Sequence, residues 1–179
     1  MSWQPLVEDL IAQRGVRLLA YAAMLTGRDA DPEDLFQDAL VKCFSRRRAI
    51  TTIGEADSYA RRAMQTIAID RARARGVRQR ASDRAFSRDP APADLDVGMD
   101  LRRALRELSP RERVCIVMKY FDDMTIAQIA GDLGLADGTV KRYLADATKA
   151  LSVHLGPDVE FGDGPERVDV VSSKGRNRS

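Results

Sequence analysis

The stretch from Thr125 to Leu144 constrains the fold more than any other part of the chain. Thr125 and Gln128 have the spacing of a capping box, which predicts the start of a helix. Gly134 lies where that helix must end, because glycine readily adopts a positive φ. Val140 and Leu144, four residues apart, give the following segment an apolar helical stripe. The pattern therefore predicts a helix, a tight turn and a second helix.

The first turn of the second predicted helix favours DNA as its partner. An ordinary helical hairpin would share the apolar pattern, so the exposed residues decide between the two interpretations. Small residues at a helix N-terminus let the backbone approach a phosphate, and basic side chains reach phosphates or base edges. The second helix is therefore predicted to lie in the DNA major groove. Its predicted DNA contacts are Asp137, Gly138, Thr139, Lys141 and Arg142.

Charge is segregated along the chain, although the formal net charge is only +2. Acids dominate between residues 28 and 45, where five of them accompany one arginine and one lysine. Arginine dominates between residues 59 and 88, where nine arginines accompany two aspartates. Such segregation indicates surfaces for different partners, although each block alone would also fit a solvated charged face.

The residue types argue against several function classes. Cys43 and Cys115 lie far apart on apolar helix faces, as is typical of buried small side chains. These cysteines and the single His154 do not form a zinc-binding pattern. The chain also lacks a nucleophile and base pattern and a phosphate-binding glycine loop. Without a membrane-length apolar run or a signal peptide, we expect a soluble cytoplasmic protein that is not an enzyme and needs no cofactor or metal.

Helical periodicity recurs throughout the chain, and no segment shows the alternation of a strand. The predicted fold is all-α, with two small helical domains joined by a flexible acidic linker. Residues 1–81 are expected to form the first domain and residues 99–155 the second. The linker is placed at residues 82–98, and a disordered tail at residues 156–179.

Local signals place further helix starts and one loop. Asp31 followed by Pro32 predicts a cap and a first helical residue. Ser109-Pro110-Arg111-Glu112 predicts another start, with a cap, a proline and a capping-box glutamate. Between these starts we expect a loop at residues 49–57 and then a long helix from about Ser58 to about Arg75.

Three stretches in this order resemble the extracytoplasmic-function (ECF) sigma factors of bacterial RNA polymerase, in an arginine-rich, actinobacterial style. Residues 25–40, with Leu-Thr-Gly at their start and Asp-Leu-Phe-Gln-Asp inside, resemble the helix that docks on the polymerase. Residues 59–73, ending Ile-Ala-Ile-Asp-Arg-Ala-Arg, resemble the reader of the −10 promoter element. Residues 108–122 and the turn at residues 138–141 resemble the reader of the −35 element.

The resemblance implies a role for the acidic helix. The family docks this helix on the β′ clamp helices of the polymerase, and a charged rim of this kind sets register and association rate. A solvated acidic face is the alternative for this segment. The implied polymerase-binding residues are Asp34, Leu35, Gln37, Asp38 and Val41.

The resemblance also implies that the long arginine-rich helix holds the opened −10 element. Single-strand capture needs a positive groove and a pocket for bases, and the loop at residues 49–57 would shape that pocket. The implied −10 contacts, expected on the exposed side of the helix, are Arg61, Arg62, Gln65, Thr66 and Arg73. The family most often has asparagine at position 66, so a contact from Thr66 would differ. Ala136, before the recognition helix, replaces a common serine.

As a whole, the resemblance implies an alternative sigma factor that directs promoter-specific initiation. Its partners would be core RNA polymerase, through the β′ clamp helices and the β flap, and promoter DNA; an anti-sigma factor is a frequent further partner in the family. No membrane insertion is implied. Two rival functions stay open: a stand-alone helix-turn-helix regulator, and a polymerase-binding protein that never reads DNA.

Overall fold

The computed structural model describes residues 4–27, 30–45, 50–81 and 97–155, with side chains for all of these except residues 77–81 and 97–99. Within these ranges the chain is helical and contains no strand, as the sequence predicted. The helices are α1 (Gln4–Leu25), α2 (Pro32–Ser45), α3 (Ile53–Ala81), α4 (Val97–Glu107), α5 (Pro110–Tyr120), α6 (Ile126–Leu133) and α7 (Asp137–Leu155). None of them combines the length and apolar character that crossing a bilayer requires.

The predicted helix starts in the second half of the chain are confirmed. The Ser109 hydroxyl accepts a hydrogen bond from the Glu112 backbone N–H, and the Ser109 N–H donates to the Glu112 carboxylate. Thr125 and Gln128 form the same reciprocal pair at α6. Gly134 ends α6 with φ of 63°, the left-handed conformation that glycine adopts at low cost.

The start of α3 differs from the prediction. The loop expected at residues 49–57 ends early, because α3 begins at Ile53 and includes Gly54 in its first turn. Thr52 and Glu55 make a capping box there: the Glu55 N–H donates to the Thr52 hydroxyl and the Thr52 N–H donates to the Glu55 carboxylate. The two hydrogen bonds of this capping box outweigh the helix cost of one glycine.

The two halves of the chain pack against each other through α5. Helix α5 contacts α1 and α3 as well as α6 and α7. One apolar cluster therefore contains Leu18 and Met64 from the first half together with Val117 and Ile129 from the second. A smaller cluster around Leu105 joins α4, α5 and α7.

The expected linker and tail fall largely outside the described residues. Residues 82–96 of the linker and all of the tail at residues 156–179 are among those not described. Helix α4 begins at Val97, so the last two residues assigned to the linker are helical.

Candidate polymerase and nucleic-acid interfaces

Helix α2 presents an acidic face and an apolar residue to the solvent. Asp34, Gln37 and Asp38 are exposed, and the Val41 side chain is 67% exposed. Asp31 caps the helix as predicted, since its carboxylate accepts a hydrogen bond of 2.9 Å from the Glu33 N–H. These residues can meet a basic surface together.

Leu35 does not belong to that face, and its assignment to the docking surface is corrected. It is only 1% exposed. Together with Ala39 and Cys43 it forms the buried side of α2, a stripe with a spacing of four residues that faces the core. Leu35 therefore holds α2 in place rather than offering apolar contact area.

One ion pair links the acidic face to the basic helix. The Arg71 guanidinium lies 2.5 Å from the Asp38 carboxylate. Both side chains are substantially exposed, so the pair is weak. It balances part of the negative charge of the α2 face without covering Asp34 or Gln37.

The basic face of α3 is occupied by acids from the second half. The Arg61 guanidinium donates to the Asp122 carboxylate at 2.9 Å and also bonds Asp57 one turn earlier. Arg62 uses its Nε, at 3.1 Å, and its terminal nitrogen to bond both oxygens of Asp132. Although burial lowers the pKa of Arg61, its carboxylate partners raise it overall, and Asp132 raises the pKa of Arg62.

Gln65 is buried, contrary to the expectation that it lies on the exposed side of α3. It is 4% exposed. Its amide donates to the Tyr21 hydroxyl at 2.7 Å and to Asp122 at 3.0 Å, and the Tyr21 hydroxyl donates to Asp122 at 2.5 Å. Burial, with the adjacent Asp122 charge, raises the pKa of Tyr21 well above its usual value, so the hydroxyl stays a donor.

A cleft of about 630 Å³ lies beside this network. Tyr59 lines it on the α3 side and Met124 on the side of the second half. Tyr59 is half-buried and packs against the core. The cleft combines arginine side chains and an aromatic ring, which can hold unstacked bases, with the acidic side chains of Glu55, Asp122 and Asp132.

The other two predicted −10 contacts lie outside this network. Thr66 and Arg73 are exposed on α3. The Thr66 hydroxyl donates to the Arg62 backbone carbonyl at 3.0 Å. Thr66 thus presents its methyl group and one hydroxyl oxygen.

Helices α6 and α7 form the helix-turn-helix. After the Gly134 turn, the Leu135 N–H donates to the Ala130 carbonyl at 2.9 Å. Val140 is fully buried and anchors the start of α7. Asp137, Gly138, Lys141 and Arg142 are exposed there, with Thr139 half-buried, and the Arg142 guanidinium lies 5.4 Å from the Tyr143 ring centroid. The first turn of α7 is therefore accessible to a duplex.

Arg113 is a buried residue whose role the sequence reasoning missed. Its guanidinium donates to the backbone carbonyls of Leu105, Leu108, Arg106 and Leu25, at 2.7 to 3.2 Å. It thus caps the end of α4 and reaches the end of α1 in the other half. Burial, with the positive charge of neighbouring arginines, lowers the pKa of Arg113 to about 10, so the group stays charged at neutral pH.

Three further residues were missed as parts of the site: Tyr21, Asp122 and Asp132. Their partners on α3 lie 44 to 70 positions away in the chain, and no local period encodes such a contact. The only sequence signal was the surplus of arginine on α3. Among the described residues, no group of histidine, cysteine and acidic side chains is placed to hold a metal ion.

Comparison with known proteins connects both halves to one family. The family described as sigma-70, region 4 matches residues 98–151. The chain is 32% identical over 160 residues to the ECF RNA polymerase sigma factor SigL of Mycobacterium tuberculosis, a match that covers 84% of this chain and 89% of that protein. The chain belongs to the ECF sigma factor family. The sigma factor is also 31% identical over 153 residues to the RNA polymerase sigma-E factor of Streptomyces avermitilis, with 83% and 84% covered.

A solved structure shares the fold of the sigma factor. It is the sigma factor RpoE of Bartonella quintana, crystallised in complex with the anti-sigma factor NepR. The TM-score is 0.60 at 26% identity, and the match covers 87% of this chain and 97% of that one. Sigma factors are non-enzymatic regulators of transcription, and membership of the family implies the same class for this chain.

Proposed function

We propose that the sigma factor binds core RNA polymerase and directs initiation at promoters that carry its own −35 and −10 elements. The observation that carries this proposal is an acidic helix, a basic helix and an exposed recognition helix in one chain, in the order of the ECF family. It works in the cytoplasm without a cofactor, and the polymerase supplies the chemistry.

The docking surface on the polymerase β′ clamp helices is formed by Asp34, Gln37, Asp38 and Val41. Carboxylates set the register against a basic partner, and the exposed Val41 supplies apolar contact area at the centre. The second half, which we take as a domain of residues 99–155, contacts the β flap.

The −35 element is read by the first turn of α7. Gly138 and Thr139 let the helix N-terminus approach a phosphate, and Lys141 and Arg142 reach phosphates or base edges. Asp137 lies in the first turn of α7, where its negative charge is favourable at the positive end of the helix dipole.

The −10 element, once opened, is held along α3. Arg61, Arg62 and Arg73 supply positive charge. Gln65 supplies a polar contact from the lining of the cleft, and Thr66 supplies one from the exposed side of α3. An anti-sigma factor, of the kind seen with the Bartonella quintana relative, is a further proposed partner.

Run-off transcription on fragmented genomic DNA tests the proposal. Purified sigma factor is mixed with core polymerase, and the 5′ ends of the transcripts are sequenced. New starts that share upstream −35 and −10 elements support the function. Binding to core without new starts would favour a polymerase-binding protein that does not read DNA. Binding to DNA without core would favour a stand-alone regulator.

A further inference from the structure

The contact between the two halves of the sigma factor uses the same arginines of α3 that are proposed to bind DNA. Arg62 bonds both oxygens of Asp132 with its guanidinium fork, the geometry with which arginine also grips a phosphate. Arg61 and Gln65 are held by the single carboxylate of Asp122. Each of these carboxylates accepts from an arginine nitrogen that a phosphate oxygen would have to share or displace.

The contact between the two halves extends from the surface into the core. Tyr21, on α1, donates to the same Asp122 oxygen that Gln65 reaches. Behind this polar network the apolar cluster continues from α1 and α3 into α5. Arg113 adds a bond from α5 to the Leu25 carbonyl at the end of α1.

This arrangement conflicts with simultaneous reading of two promoter elements. Elements centred near −35 and −10 lie about 25 base pairs apart, or roughly 85 Å at about 3.4 Å per base pair. In the structure, acids between α5 and α7 touch the α3 face that would hold the −10 element. The fifteen residues 82–96 between α3 and α4 reach about 50 Å when extended. The covalent connection therefore permits the halves to separate.

We propose that the sigma factor inhibits itself: Asp122 and Asp132 hold the −10 surface closed until polymerase draws the two halves apart. This inference rests on the proposed function, because it takes Arg61, Arg62 and Gln65 as −10 contacts. The acids act as an internal substitute for DNA phosphate. The apolar cluster shared by α1, α3 and α5 stabilises the closed state in the absence of polymerase. The α7 surface stays outside the contact and is accessible throughout.

The double variant Asp122→Asn/Asp132→Asn tests the closed contact in the full-length chain. Asparagine keeps the size of each side chain but removes the charge that faces Arg61 and Arg62. The matched control is Asp123→Asn, which removes the same charge one position away. Asp123 is exposed with φ of 51°, a conformation that asparagine tolerates.

Two quantities are measured at about 50 mM salt, where charge contacts with DNA are strong: the radius of gyration by small-angle X-ray scattering, and the Kd for a fluorescein-labelled 20-nucleotide oligothymidylate. We expect the double variant to expand and to bind the oligonucleotide at least about fivefold more tightly than the wild type. The control should change the Kd less than twofold. A double variant that matches the control in both measurements overturns the proposal.

The single variant Asp132→Asn keeps the proposal testable if the double variant fails to fold. Its side chain lies at the edge of the contact, so the Tyr21, Gln65 and Asp122 network stays intact. We expect it to bind the oligonucleotide about two- to threefold more tightly, with an unchanged circular dichroism spectrum. If it too behaves like Asp123→Asn, the closed contact does not restrain the −10 surface.

Run-off transcription separates this inference from the proposed function. Expansion and tighter oligonucleotide binding without any transcripts, from wild type or variant, would support the closed contact and contradict the sigma function. Normal transcripts from all variants, with no expansion and no gain in binding, would support the function and overturn the closed contact.

Discussion

The two surfaces proposed to read DNA are in opposite states in the same molecule. On α3, Arg61 and Arg62 are paired with aspartates of the other half, and Gln65 is buried. On α7, Lys141 and Arg142 are exposed. In the proposed mechanism, α7 can therefore contact a −35 element in this state, whereas α3 cannot hold an opened −10 strand. Duplex recognition and strand capture are then separate events, and only the second requires the fold to open.

The first turns of α3 and α7 differ as well. Helix α3 begins with the Thr52 and Glu55 capping box. Helix α7 follows Ala136, which has no side-chain oxygen; its backbone carbonyl accepts from the Thr139 and Val140 N–H groups. The proposed −10 surface therefore lies on a helix with a side-chain cap, whereas the proposed −35 surface lies on a helix that begins without one, at the kind of N-terminus that a phosphate can approach.

Charge reversal on α7 should give the largest effect. We expect Lys141→Glu/Arg142→Glu to abolish promoter binding, a loss of at least about 100-fold, because attraction to phosphate becomes repulsion. Core polymerase binding, measured by co-elution, should be unchanged. The salt dependence of duplex binding should flatten by roughly 0.9 per lost contact. Lys149→Glu, further along α7, is the control. Loss of core binding with intact DNA binding would reverse the assignment of the two halves.

Removing the Arg113 side chain should weaken the contact between the two halves of the chain, on which the pairing of Arg61 and Arg62 with aspartates depends. Arg113→Ala removes a hydrogen-bond donor from four backbone carbonyls, of which that of Leu105 keeps the Leu108 N–H. We expect a loss of about 3 kcal/mol in the free energy of unfolding, measured by urea denaturation. Arg111→Ala, two residues earlier and less buried, should cost much less. Equal losses for the two variants would show that Arg113 has no special role in the contact between the two halves.

Removing the cap of α3 should test how much the capping box stabilises the helix that carries the proposed −10 surface. Thr52→Ala deletes the hydroxyl that accepts from the Glu55 N–H, and we expect a loss of about 1 kcal/mol in stability. Thr51→Ala, at the neighbouring exposed position, is the comparison; it removes the 3.1 Å bond from the Thr51 hydroxyl to the Glu55 carboxylate but leaves the bond from the Glu55 N–H to Thr52. A Thr52→Ala variant as stable as the wild type would remove the contrast between the two helix starts.

Adding a cap to α7 should produce the smallest effect, in the opposite direction. Ala136→Ser supplies a side-chain oxygen before Asp137, and we expect a gain of about 0.5 to 1 kcal/mol in stability. Thermal unfolding measures it. If the gain comes with weaker duplex binding, the uncapped N–H groups serve the phosphate; if binding is unchanged, they do not.

The sequence was sufficient wherever structure depends on near neighbours. The caps at Ser109 and Thr125 and the turn at Gly134 were predicted because each rests on residues three or four positions apart. Thr52 and Glu55 have the same spacing, but the prediction there was a loop, in a segment that contains Gly54. The glycine costs about 1 kcal/mol in a helix, which a reciprocal cap recovers.

Errors arose where distant segments decide. Gln65 lies on the polar side of α3 by period, yet Asp122 and Tyr21 bury it. The error at Leu35 was of a different kind, because its local spacing with Ala39 and Cys43 already places it on the buried side of α2. The roles of the candidate polymerase and DNA contacts follow from family resemblance, since one sequence does not encode what its surfaces will meet.

Helix α5 has a consequence for the lifetime of the protein. Residues 113–118 are all buried, and an opened chain would turn part of this helix towards water. Exposed apolar surface attracts proteases and promotes aggregation. A sigma factor that opens without polymerase is therefore short-lived, whereas one that opens on polymerase exchanges one protected surface for another. The amount of active protein in the cell is then limited by the supply of free polymerase as well as by its own synthesis.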